Sequence, residues 1–344
     1  MLRFVGALLT LAVAVAAFVV TWPQLFGLQS HPLVALIVSW RTGLVVVAAV
    51  VAVVLIIVVI GSRRARPFAG GLLTVTVLFG AANAGVAAWR GADQIFAPAE
   101  FTAPSAEGLT VLSWNTLGSA PGMDAVRGMV TGAGAQIVVL PETLPEEAEA
   151  LRDLLRADGR DFVAHAVAFD GSNAALATSV LVDRSLGDYR LVSGSQPGEN
   201  TTALLPSLEL EPAREGSPRI LAVHAAPPHL GGAEMWRNDL DWIASRCTAD
   251  AGETIIAGDL NATNDHFSGR GVDGGVLGAC RDAAASDRQA AVGTWPTSIP
   301  ALTGVPIDHI LWSGTRPLDA FRVIVGADDA GSDHRPILAH FAGR

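Results

Sequence analysis

Long uncharged apolar runs occupy the first quarter of the chain, and short apolar runs punctuated by polar residues occupy the remainder. Residues 4–22, 43–60 and 68–89 contain no charged side chain, and each approaches the ~20 residues that cross a ~30 Å hydrocarbon layer. Three transmembrane helices are expected there. An alternative for the first run is a cleaved signal peptide, because Arg3 precedes an apolar stretch containing Ala14, Ala16 and Ala17. The loop GSRRARP carries Arg63, Arg64 and Arg66, and the bias of basic residues toward the cytoplasm keeps this loop inside. Everything after Trp89 then lies on the extracytoplasmic side, whether or not the first run is removed. Trp22, Trp40 and Trp89 stand near the expected span ends, where an interfacial aromatic belt would place them.

Residues 91–108, with Pro98 and Pro104 among small residues and no sustained period, are expected to form an exposed linker. Beyond it the apolar period alternates between strand-like and helical. Strands are expected at 109–115, 137–142, 162–169, 174–182, 203–210, 220–225 and 254–259, followed by IDHILWS, FRVIVG and PILAHF. Helices are expected at 123–130, 146–156 and 234–246, the second opened by Pro145 and lined by Leu151, Leu154 and Leu155. Strands interspersed with helices over about 235 residues indicate one mixed α/β or α+β sandwich with a large core. The expected organisation is an anchor at 1–90, a linker at 91–108 and a single outer domain at 109–344.

Composition sharpens this division. Half of the 344 residues are hydrophobic and 16% are charged, with a mean hydropathy of +0.40, too apolar for an ordinary soluble domain. All 33 acidic residues lie at Asp93 or later, and past residue 101 there are 17 basic against 31 acidic side chains. That field disfavours a nonspecific nucleic-acid coat. Every basic residue is Arg and none is Lys, which fits a GC-rich bacterial coding bias and carries no function.

The chemistry-bearing residues gather at strand ends. Asn115 ends the first strand, Glu142 the second and His224 the ILAV strand; Asp259 and Asn261 end TIIA, Asp308 opens DHILW, and Asp333 and His334 precede PILAHF. Singly, such residues are commonest as turn-formers or satisfied half-buried polar groups. Ends of adjacent strands in a sandwich converge at one rim, so six separate segments can deliver their polar tips to one site.

In sequence order, LSWNTLG, VLPET, VHAAPP, AGDLNAT, TWPTSIPALTGVPIDHILWS and GSDHRPI resemble the motifs of the endonuclease/exonuclease/phosphatase superfamily. Its metal-dependent phosphoesterases include deoxyribonuclease-like and apurinic endonucleases, sphingomyelinases and inositol-polyphosphate phosphatases. The likeness spans residues 109–341, and GDLN and SDHRP are its most specific pieces. It implies an α/β (α+β) four-layer sandwich, two packed mixed β-sheets flanked by helices, here preceded by the three transmembrane helices.

The resemblance also implies roles. Glu142 would be the leading ligand of a Mg²⁺ ion, with Mn²⁺ as a substitute, since Mg²⁺ typically takes one or two carboxylates plus waters. Asn115 would help hold metal or phosphate, and Asp333 would be a second ligand or a neighbour of the metal. Asp259 would orient or deprotonate the attacking water, Asn261 would donate to a phosphoryl oxygen, and His224 would contact phosphate or the leaving oxygen. Asp308 and His334 would form a carboxylate–imidazole pair, with His334 a general base or a phosphate ligand according to how Asp259 is used.

No GxxxxGK[ST] loop, GxSxG motif, or CxxC or HxxxH spacing occurs, so nucleotide-driven and serine-hydrolase chemistry are not supported and zinc is not expected. His229, His266, His309 and His340 are left with structural roles. The expected function is a membrane-anchored, outward-facing Mg²⁺-dependent phosphodiester hydrolase of nuclease type. The alternative is a phosphatase or phospholipase-like hydrolase of lipid head groups or small phosphoesters. A third, disfavoured because every matched position holds a chemically competent residue, is an inactive extracellular binding module. Residues 194–202 lack the Lys, Arg or aromatic cluster that tracks a nucleic-acid backbone. The two cysteines, Cys247 and Cys280, could be bridged in an oxidising compartment or be two buried thiols.

Overall fold

Continuous apolar runs of five or six residues bounded by polar ends make strands buried on both faces, and among the described residues twelve strands form two sheets in the computed structural model. It describes residues 2–96, 108–229 and 231–343. The strands are β1 (Leu109–Ser113), β2 (Ile137–Pro141), β3 (Phe162–Ala168), β4 (Ala177–Asp183), β5 (Tyr189–Leu191), β6 (Leu208–Pro212), β7 (Arg219–His224), β8 (Thr254–Asp259), β9 (Arg281–Asp282), β10 (Asp308–Trp312), β11 (Leu318–Val323) and β12 (Ile337–Phe341). One six-stranded sheet runs β11-β12-β1-β2-β4-β3 and the other β5-β6-β7-β8-β10-β9. Each is mixed: β1–β2 and β7–β8 are parallel, and the other pairs are antiparallel.

The strand period of two explains the layers. Val111, Val139, Val180, Ile220, Ile255 and Ile310 point between the sheets and form the central core. Their alternates Leu112, Val138, Leu140 and Leu181 point outward, under α6 (Met123–Ala133) and α7 (Pro145–Ala157), through Val126, Val130, Leu151 and Leu155. On the opposite sheet, Leu221, Val223, Ile256 and Leu311 meet Trp236, Leu240 and Ile243 of α8 (Ala233–Arg246). The result is the four-layer sandwich. Helix α7 begins at Pro145 because Glu147 turns back to accept the Leu144 N–H at 3.0 Å, satisfying a donor that the helix start leaves open.

Three apolar helices precede the sandwich, α1 (Leu2–Thr21), α3 (Arg41–Gly61) and α4 (Arg66–Arg90), each long and apolar enough to cross a membrane. Between α1 and α3 lies a short helix that the sequence reading passed over, α2 (Pro32–Ser39). Eight residues rise about 12 Å at ~1.5 Å each, too short to span. It docks instead: Ala35 and Val38 are buried, Ala35 within the core under α8, while Leu33, Leu36 and Ile37 are exposed.

The N-terminal helices and the sandwich share a buried polar junction. Asp265 accepts from Arg41 Nη2 at 2.7 Å and Nε at 2.9 Å, pairs with Arg90 Nη1 at 2.9 Å and accepts from Gln24 Nε2 at 2.9 Å. Arg41 also donates to Asn83 Oδ1 at 2.8 Å and to the Thr21 carbonyl at 3.0 Å. The C-terminal ends of α1 and α4 and the N-terminal end of α3 thus meet at one carboxylate, which leaves the Arg63, Arg64 and Arg66 turn at the opposite ends of the helices.

The expected exposed linker begins differently. Gly91 and Ala92 are buried, α5 spans Asp93–Phe96, and Gln94 donates to the Val323 carbonyl at 2.7 Å. The rest of that linker, 97–107, lies outside the described residues. Other boundaries shift for local reasons. Strand β6 starts only at Leu208, because Thr201 and Thr202 close a turn on Ser207 and Leu205 before it. Residues 174–176 form a 3₁₀ turn capped by Asn173 rather than the head of β4. Cys247 and Cys280 are bridged, between the end of α8 and the start of β9, which resolves the two alternatives left by the sequence.

Candidate active site

Strand register brings the polar tips together. In the parallel β7–β8 pair His224 is opposite Asp259, and in the antiparallel β8–β10 pair Asp259 is opposite Asp308. On the facing sheet, Asn115 and Glu142 follow the ends of the adjacent strands β1 and β2. The two sheet edges meet at a pocket of about 330 Å³ whose lining includes Glu142, His224, Asp259, Asn261 and His334.

Hydrogen bonds fix this arrangement. Asn115 Nδ2 donates to Glu142 Oε1 at 3.0 Å and to Asp259 Oδ2 at 3.3 Å, joining one sheet to the other. His334 Nδ1 pairs with Asp308 Oδ2 at 2.9 Å, and its Nε2 stands 3.7 Å from Asp259 Oδ2. His224 Nε2 is 3.7 Å from Glu142 and 3.9 Å from Asp259. The Asn261 backbone N–H donates to Asp259 Oδ1 at 2.8 Å, whereas its side-chain amide donates to the Ala225 carbonyl at 2.9 Å. Asp333 stands to one side, half-exposed, accepting from Trp295 Nε1 at 2.9 Å, with its other oxygen 4.0 Å from His334 Nε2.

Backbone strain accompanies the site. Glu142 (φ 58°) and Asn261 (φ 47°) occupy the left-handed region, which non-glycine residues adopt at a cost and which clusters at functional positions. Gly258, just before Asp259, has φ 141°, and a Cβ there would collide with the Val223 carbonyl of the neighbouring strand. Only glycine lets β8 run this close to β7 while aiming Asp259 into the pocket.

Electrostatics divide the two histidines. Burial, with the neighbouring His334, lowers His224 from its ordinary value to about 3, so it is neutral at pH 7. Burial also opposes charge on His334, but Asp308 and then Asp259 overcome it and raise its pKa, so the ring is held as an imidazolium. Burial raises Asp259, reinforced by Asp308 and opposed by His334 and by the Asn261 and Asn115 hydrogen bonds.

The donor set suits a hard divalent cation. Asp259, Asp308 and His334 offer ligand atoms within 4.8 Å of one another. Asp308 Oδ1 is buried with no hydrogen-bond partner among the described residues, and Glu142 faces the same pocket. Carboxylates crowded into a buried site, with one imidazolium to balance them, fit a positive charge.

Sequence reasoning missed the walls. Leu36, Ser39 and Trp40, from the segment between α1 and α3, line the pocket beside Leu205, Trp295, Val305 and Ile307. Trp40 packs against Trp295, ring centroids 5.9 Å apart with the planes at 63°. The available signal was the apolar stretch after Pro32, too short to span yet patterned at helical spacing.

The Endonuclease/Exonuclease/phosphatase family matches residues 112–334, and the chain belongs to that family, whose members are hydrolases acting on phosphoester bonds. Among solved structures, a humanized D. rerio TDP2 carrying 14 mutations is similar at 17% identity, with a TM-score of 0.53, covering 69% of this chain and 99% of that one. An endonuclease/exonuclease/phosphatase from Beutenbergia cavernae gives 18% identity and a TM-score of 0.51, covering 69% of this chain and 72% of that one. The 3'-5' exonuclease NExo from Neisseria meningitidis gives 17% identity and a TM-score of 0.50, covering 68% of this chain and 100% of that one. No curated protein matches the chain in sequence.

Proposed function

We propose that the chain is a membrane-anchored phosphoester hydrolase, dependent on Mg²⁺ or Mn²⁺, with its sandwich on the extracytoplasmic side. The observation that carries this reading is the convergence of Glu142, Asn115, His224, Asp259, Asp308 and His334 on one pocket from both sheets. Glu142, with Asn115 beside it, would hold the cation, and the carboxylates of Asp259 and Asp308 offer further donors. When bound, the cation would neutralise charge on the phosphoryl oxygens.

The chain's own residues supply the remainder. Asp259, made basic by burial, takes a proton from the attacking water as a water O–P bond forms. His334, kept cationic by Asp308, donates to a phosphoryl oxygen as the ester P–O bond breaks, and the leaving oxygen takes up a proton from solvent. Neutral His224 is a second donor toward the phosphate.

Three candidate spans support the anchoring, and the arginine turn opposite the sandwich supports the outward orientation. The buried Cys247–Cys280 bridge agrees with an oxidising compartment. A nuclease-type substrate draws on NExo, named a 3'-5' exonuclease, and on a D. rerio TDP2 structure described as complexed with single strand DNA product. Against it, the described pocket lining contains no arginine or other cation besides histidine to track a polyanionic backbone.

The test is hydrolysis of methyl p-nitrophenyl phosphate by the full chain in amphipol, with Mg²⁺, Mn²⁺ or EDTA. Metal-dependent turnover lost by about 10²-fold or more in Asp259→Asn is expected. Turnover that survives both EDTA and that substitution would overturn the reading.

A further inference from the structure

The pocket is built by two parts of the chain with different chemistry. The sandwich supplies its polar floor, and the segment between the first two membrane helices supplies part of an apolar wall: Leu36 and Trp40, facing Leu205, Trp295, Val305 and Ile307. We propose that the anchor completes the substrate site, and that the substrate is an amphiphilic phosphoester whose phosphate meets Asp259 and His334 while its apolar group lies on Leu36 and Trp40. This inference rests on the hydrolase reading and names its substrate class.

Three observations carry it. First, a tether alone would need no contact with the site, yet α2 is fixed on the sandwich: Ala35 and Val38 are buried, Gln29 donates to the Ser268 carbonyl at 3.1 Å, and Arg237 donates to the Ser30 carbonyl at 3.2 Å. Second, the side chains that α2 does not bury are apolar. Leu33, Leu36 and Ile37, spaced one turn apart on one helix face, are exposed, and Leu36 is at once exposed (38%) and part of the pocket lining. Leu25 and Phe26, just past the first span, are exposed as well. Exposed apolar side chains thus recur along the segment that leads from the end of the first span to the pocket. Third, at about 330 Å³ the pocket is near the lower end of the ~300–1,000 Å³ usual for small-molecule sites, sized for a phosphate and a flexible apolar group.

The experiment uses the full chain in amphipol, so that neither detergent nor lipid competes, and compares methyl and decyl p-nitrophenyl phosphate with a plasmid under Mg²⁺. The decyl diester is expected to be preferred in kcat/KM by roughly tenfold or more, from the burial of several methylenes. Trp40→Ala and Leu36→Asp should each lower the decyl-to-methyl ratio by roughly fivefold or more through KM. Leu36 is partly exposed, so its substitution does not threaten the fold; Leu191→Ala, on β5 away from the pocket, should leave the ratio unchanged. Equal use of the two diesters, or plasmid cleavage in preference to both, would overturn the inference and leave the hydrolase reading standing. If no ester is hydrolysed, the hydrolase reading fails. Titration with decylphosphonate, followed by tryptophan fluorescence, then decides the pocket alone: saturable quenching weakened by Leu36→Asp supports the amphiphile site, and no quenching overturns it.

Discussion

Arg41 and Asp265, 224 positions apart, form a bidentate pair through Nη2–Oδ1 at 2.7 Å and Nε–Oδ2 at 2.9 Å, with both side chains buried. Burial alone would raise the Asp265 carboxyl, but Arg90 and Arg41 outweigh it and hold the group below the usual carboxylate range. The pair joins the start of α3 to the loop after β8, the strand that ends in Asp259. The N-terminal helices are thereby registered to the strand that ends in Asp259.

Asp265→Ala should therefore strand the buried Arg41 and the partly buried Arg90. Removing one partner of a buried ion pair typically destabilises by about 3–5 kcal/mol, far more than the pair itself contributes. Because the stranded groups lie at the junction, the expected outcome is release of residues 22–40 before global unfolding. Limited proteolysis of the full chain in amphipol should find new cleavage in that segment, with a lowered melting temperature. An unchanged digest and melt would show that the network holds nothing in place.

Acidification should loosen the same junction. His266 accepts the Thr263 N–H at Nδ1 (2.8 Å) and faces the Ala35 carbonyl of α2 with Nε2 at 3.3 Å, edge-on to Trp236. Burial holds its pKa at about 4, against 6.5 when free. The folded state then binds fewer protons than the unfolded one, so this contribution is full above pH 6.5 and fades as the pH falls toward 4. It amounts to about 3 kcal/mol at most. His224 is shifted in the same direction, so the isolating measurement is the difference between wild type and His266→Gln. Melting temperatures from pH 7 to pH 4.5 should fall less steeply in the variant, and parallel curves would remove His266 from the account.

The bridge between Cys247 and Cys280 closes a separation of 33 residues. On the chain-entropy view that loop stabilises by about 3–4 kcal/mol. Replacing both cysteines by serine, or reducing the protein, should lower the denaturation midpoint accordingly, and intact mass should differ by two hydrogens between oxidised and reduced protein. A chain isolated from its native compartment with two free thiols would count against the extracytoplasmic placement.

Where periodicity and length agree, the sequence was a good guide. The β1, β2, β7, β8 and β10 runs are short, apolar and ended by Asn, Glu, His or Asp, and the register places those ends together. What stayed hidden depends on contacts distant in the chain. Helix α2 has no caps or charges to announce it and is stabilised by packing Ala35 under α8. Nothing near Arg41 or Arg90 in the sequence points to Asp265, which lies between them in the fold. His309 likewise had no visible partner, yet it is held by Asp282 at 3.1 Å and the Ala262 carbonyl at 2.9 Å. The edge strands β5 and β9 span only three and two residues, below the length at which a period of two can be read.

Asp308 is the clearest positioning residue in the proposed chemistry, because it touches His334 rather than the reacting phosphate. Its Oδ2 holds Nδ1 of the ring at 2.9 Å, and its backbone is paired in register with Asp259. In Asp308→Asn the volume and strand pairing are kept while the negative charge that raises His334 is removed, so the imidazolium should lose its proton at lower pH. The expected outcome is a kcat reduced by about 10²–10⁴-fold, with little change in melting temperature. The His334 ring resonance should titrate at lower pH than in the parent protein, a signature that a merely structural loss would not give. A kcat within a few-fold of wild type would assign the stabilisation of the phosphoryl oxygen elsewhere, and a lost kcat with an unmoved His334 titration would make Asp308 a group that acts on the cation or phosphate directly.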